Sequence, residues 1–94
     1  MDFTPIRIHD IKKEVGLWVK KMRTNRKVTQ IELADRLNLS RLTIQNIEHG
    51  NNFTIDTLLL ILQYFDELAS FREFIQDKLE DAVDQKSFYP NGKK

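Results

Sequence analysis

The sequence predicts an all-α fold of five helices. Three observations lead there. Apolar residues recur at three- and four-residue spacing in five successive segments, which places each set on one helix face. Capping signals precede these segments, with the pattern Thr29-x-x-Glu32 repeated as Ser70-x-x-Glu73. The chain has two prolines, Pro5 and Pro90, and three glycines, of which only Gly16 falls inside a strongly periodic segment.

Residues 1–9 are expected to form an N-terminal arm, because Pro5 blocks early helix growth. The alternation Ile6-Arg7-Ile8-His9 also fits a short edge strand. A first helix is expected over about 10–25, with Ile11, Val15, Trp18, Val19 and Met22 as its inner face and Lys12, Lys13, Lys20, Lys21 and Arg26 off that face. The second helix, about 30–37, opens at the Thr29/Glu32 box and turns Leu33, Ala34 and Leu37 inward. Asn38 tolerates the left-handed backbone of a tight turn, and Ser40 is a good N-cap. The third helix, about 41–49, buries Ile44 and Ile47 and ends at Gly50, the residue type that favours helix C-termini. Thr54 caps a fourth helix, about 55–65, whose Leu58, Leu59, Ile61, Leu62 and Phe65 make it the most buried. The fifth, about 71–84, is expected to start at the Ser70/Glu73 box, with Phe71, Phe74, Ile75, Leu79, Ala82 and Val83 as one stripe. The last residues, KSFYPNGKK, combine turn formers with lysines and are expected to be a mobile tail.

A chain of 94 residues with 40% hydrophobic and 31% charged content fits one ordinary globular domain. With no cysteine there is no disulfide and no thiolate metal site. The longest fully apolar run, Leu58–Leu62, is far below the ~20 residues of a membrane span, and the N-terminus lacks the apolar stretch of a signal peptide. A cytoplasmic location is expected. His9 and His49 have no carboxylate or cysteine placed beside them, no glycine-rich phosphate loop occurs, and no carboxylate pairs with a nucleophile. No metal, no cofactor and no enzymatic activity are expected. The net charge of +1 hides an asymmetry: residues 1–50 carry ten Lys/Arg against six Asp/Glu, and residues 51–94 carry five against eight. The basic half is where a polyanion would dock.

Two short helices joined by a tight turn, the second polar outward, make a helix-turn-helix. The segment VTQIELADRLNLSRLTIQNIEHG, residues 28–50, resembles the phage repressor/Cro family, also called the xenobiotic-response-element type. The resemblance runs from Gly16 through Phe65. It rests on Val19 and Arg23, Thr29-Gln30, Leu33-Ala34, Ile44 and Ile47, Glu48 and Gly50, and Thr57-Leu58, in that order and at matching intervals. Two positions depart from it: Asn38 and Asp66 stand where the family usually or often has glycine.

The resemblance implies a five-helix, repressor-like fold: a DNA-binding domain over residues 10–67 with the helix-turn-helix at helices 2 and 3, then the fifth, C-terminal helix over 68–85 and the tail, 86–94. A helix that enters the major groove needs a polar outward face near its N-terminus. Ser40, Arg41, Leu42, Gln45 and Asn46 supply that face and are the expected base contacts. Arg41 suits guanine, Gln45 or Asn46 suits adenine, and Leu42 either touches a thymine methyl or packs on helix 2. The family places the residue at Gln30 on a phosphate, and Lys27, Asn51 and Asn52 are further expected phosphate contacts. It also pairs Arg23 with Glu48, an ion pair expected to be partly buried. The stripe Phe71, Phe74, Ile75, Leu79 and Val83 either folds back on helices 1 and 4, against Trp18 and Ile11, or meets its twin in a homodimer. The dimer is the favoured expectation. The implied function is sequence-specific binding of double-stranded DNA at a palindromic operator, as a transcriptional regulator and repressor. The alternative is an antitoxin that also holds a toxin protein, through the acidic residues 66–84.

Overall fold

A computed structural model describes residues 4–86. It contains α1 (Ile8–Asn25), α2 (Gln30–Leu37), α3 (Arg41–Glu48), α4 (Ile55–Tyr64) and α5 (Leu68–Lys86). The described residues contain no strand, and Ile8 and His9, offered above as part of an edge strand or arm, are the first residues of α1. Asp10 explains the early start. Its carboxylate accepts from the Arg7 N–H at 3.0 Å, so an acidic residue in the first turn satisfies a donor the helix leaves open.

The N-termini of the next three helices follow the capping chemistry. Thr29 Oγ1 accepts from Glu32 N at 3.0 Å, and Glu32 Oε1 accepts from Thr29 N at 2.9 Å. These bonds favour the charged carboxylate and hold Glu32 below its ordinary titration range. Ser40 Oγ accepts from Thr43 N and Thr54 Oγ1 from Thr57 N, at 3.1 and 3.2 Å. Ser70 does not act this way. The fifth helix already starts at Leu68, so Ser70 lies inside it.

The C-termini explain why α5 begins early. Helices α1, α2, α3 and α4 all end in the same double hydrogen bond, in which one residue takes the left-handed conformation and the next N–H reaches back to an earlier carbonyl. The left-handed residues are Lys27, Asn38, Gly50 and Asp66, with φ of 58°, 56°, 76° and 61°. The long back-bonds are Val28 N to Arg23 O, Leu39 N to Ala34 O, Asn51 N to Asn46 O, and Glu67 N to Leu62 O, at 2.8–3.1 Å. Asn38 and Asp66 thus perform the turn that glycine usually makes. The Asp66 turn is tight enough for α5 to start two residues later.

Val19, Val28, Leu33, Ala34, Ile44, Ile47, Leu58, Ile61, Leu62 and Phe65 form one core shared by the first four helices and the α1–α2 turn. The inner face of α1 differs from the sequence expectation. Its buried residues are Gly16, Val19 and Arg23, Val15 and Met22 are half-buried, and Ile11 and Trp18 are exposed. The cause is tertiary: α1 crosses the end of α3 at backbone contact. A Cβ on Gly16 would lie 2.5 Å from Ile47 O and 2.6 Å from Glu48 O. No side-chain rotation relieves a backbone clash, so a methyl there forces the helices apart, a strain of about 1–3 kcal/mol.

Beyond its first turns α5 leaves the core. Leu68 and Phe71 pack against it, while Phe74, Ile75 and Leu79 are 58%, 41% and 60% exposed. The helix packs chiefly on α4. The side chain of Val83 and the expected tail, apart from Lys86 at the end of α5, lie outside the described residues.

Candidate nucleic-acid interface

The turn Asn38-Leu39-Ser40 sets α3 across α2. Leu39 is half-buried against the core and the left-handed Asn38 reverses the chain, so the N-terminus of α3 is left on the surface. Arg41 there is exposed, and Leu42 is 62% exposed. Gln45 and Asn46, one turn on, are half-buried beside Ile44 and Ile47. The Ser40 hydroxyl is occupied by its cap and by Thr43 Oγ1 at 2.8 Å.

Two clefts flank α3. Arg41, Gln30, Lys27, Thr24 and Thr29 line the first, at the N-terminus of α2. Asn46, Asn51 and Asn52 line the second, together with Lys12 and His9 of α1. The expected base and phosphate contacts thus fall into two groups, Arg41 with Lys27 and Gln30, and Asn46 with Asn51 and Asn52. Lys12, which sequence reasoning placed only off the core face, donates to Asn52 Oδ1 and ties the α3–α4 loop to α1. Its position depends on how α1 crosses α3, which residue spacing alone does not reveal.

Beneath this surface lies the ion pair. Arg23 Nε donates to Glu48 Oε2 at 2.6 Å and Arg23 Nη2 donates to Glu48 Oε1 at 2.9 Å, the two-pronged geometry that suits guanidinium and carboxylate. Arg23 Nη1 also donates to Val28 O at 3.0 Å. The bonds to Glu48 raise Arg23 above its ordinary value, against the opposing effect of burial. The side chains are 11% and 2% exposed, so the pair is buried where partial burial was expected. Gln30 Nε2 donates to Glu48 Oε1 at 3.0 Å, which fixes the Gln30 amide at the mouth of the first cleft and leaves its second N–H free to donate. No buried side-chain polar atom among the described residues lacks a partner.

Glu48 therefore holds α1, the start of α2 and the end of α3 together. Its replacement by alanine strands a buried guanidinium, and we expect Glu48→Ala to cost about 3–5 kcal/mol. Urea denaturation measures this, and an unchanged midpoint contradicts it.

The family model described as helix-turn-helix matches residues 19–69, just over half of the chain. A search of curated proteins finds no match. No helix among the described residues is long and apolar enough to cross a membrane. From the residues matched and the turn between α2 and α3, the chain belongs to the phage repressor/Cro type of the helix-turn-helix family, and it is a DNA-binding regulator of transcription.

Proposed function

We propose that the chain binds an operator in double-stranded DNA sequence-specifically as a homodimer and represses transcription there. The observation that carries this reading is the outer edge of α3. Arg41, Leu42, Gln45 and Asn46 lie along it with Arg41 and Leu42 exposed, and Lys27 and Gln30 stand beside Arg41. Side chains of these types read base edges from a helix lying in the major groove, with Arg41 matched to guanine and Gln45 or Asn46 to adenine. Lys27, Gln30, Asn51 and Asn52 would hold phosphates and set the register. Arg41→Ala is expected to cost about 1–3 kcal/mol on the preferred site and to relax the preference at one base pair. Gln30→Ala weakens preferred and random duplexes alike, because phosphates carry no base information. Binding at fixed salt checks both. Wild-type discrimination by Arg41→Ala would show that α3 is not the reader.

The dimer rests on α5. One such helix contacts only a few base pairs, and two copies on one face of the duplex need their reading helices about 34 Å apart. Phe74, Ile75 and Leu79 are exposed along a helix that runs away from the core, and an apolar groove lined by Ile55, Leu59, Phe71 and Ile75 lies between α4 and α5 beside them. A two-fold pairing of α5 with its copy covers this surface without a new partner. A second reading, an antitoxin, draws support from the exposed Glu73, Asp77, Glu80 and Asp81 on the same helix. Sedimentation of the wild type and of Leu79→Glu tests the dimer. The expected result is a dimer that dissociates in the variant, and a wild type that is monomeric both free and on DNA contradicts the dimer.

A further inference from the structure

We propose that α1 also lies against the DNA, with Lys13 and Lys20 gripping the phosphate backbone next to the helix-turn-helix; this rests on the DNA-binding reading above. The two lysines are seven residues apart, almost two full turns, so both project from one edge of α1 about 10.5 Å apart. That edge faces the site. Lys13 and Lys20 line a cleft with Gln30 and His49, and the edge continues through Thr24 and Lys27 into the cleft that holds Arg41. Both lysines are exposed.

The charge of this edge is uncompensated. Among the described residues the one salt bridge is Arg23–Glu48, so neither lysine has a carboxylate within ion-pair distance. Glu48 is the single acid lining the cleft, and Arg23 already neutralises it. Of the acids on α1, Asp10 is engaged with the Arg7 N–H, and Glu14 sits about 100° around the helix from Lys13. The edge therefore presents two free ammonium groups beside a free amide N–H of Gln30. A polyanion whose charges repeat along a line matches it, and the phosphate backbone continuing from the α3 contacts is that polyanion. Lysine serves phosphate as a mobile point charge, so these contacts add affinity without adding sequence preference.

The test is the salt dependence of duplex binding by the full chain. Removal of two phosphate contacts lowers the slope of log K against log salt by about 1.8. Lys13→Ala/Lys20→Ala should therefore show that shallower slope, and raising salt from about 50 to 200 mM should weaken it about tenfold less than wild type. Preferred and random duplexes should lose affinity together, Lys13→Arg/Lys20→Arg should keep the wild-type slope, and Lys78→Ala on α5 should be unaffected. If the double alanine variant keeps the wild-type slope while Arg41→Ala loses its site preference, the α1 contact is overturned and the reading of α3 stands. If the wild-type chain binds no duplex even at low salt, both fall.

Discussion

The Arg23–Glu48 pair is the interaction on which the rest of the arrangement depends. A buried ion pair is a poor source of net stability, because two charges must leave water to form it. Its value here is geometric. The Glu48 carboxylate receives α1 through two nitrogens of Arg23 and receives the start of α2 through the Gln30 amide, while the same guanidinium holds the Val28 carbonyl in the α1–α2 turn. Three helices and a turn thus converge on a group at the last residue of α3. An apolar contact of equal volume would allow sliding. These directional bonds do not, and the Gln30 side chain is aimed as a consequence.

Gly16 completes the constraint by letting the α1 backbone touch the end of α3. Close approach and ion pair are two parts of one crossing, since Gly16 and Arg23 are seven residues apart on the same edge of α1. This crossing also turns the lysine edge of α1 toward Gln30 and His49. Dynamics should be divided accordingly. Helices α1 to α4 share one core, whereas the exposed length of α5 has few buried contacts and belongs to the low-stability end of the molecule.

Much of this was legible in the sequence where the governing chemistry is local. Thr29 with Glu32, Ser40 and Thr54 mark helix starts because capping needs only residues a few positions apart. The turn at Asn38 was readable because asparagine accepts the left-handed backbone. The start of α5 was not, because Asp66 closes α4 so tightly that the helix begins before the Ser70 signal. The inner face of α1 was misjudged at Ile11 and Trp18, which are apolar and on period but keep 46% and 37% of their surface exposed. The lysine edge was invisible for a related reason: spacing puts Lys13 and Lys20 on one face, but only the crossing angle shows what that face meets.

We propose that duplex DNA lies on the surface built from the start of α2 and the outer edge of α3. Titration of isotope-labelled protein with a short duplex at low salt, followed by amide chemical shifts, tests it most directly. The largest perturbations are expected at Lys27–Gln30 and Arg41–Asn46, with the exposed end of α5 nearly unchanged. Perturbations concentrated on α5 and the groove beside α4, with the amides of α3 undisturbed, would contradict it.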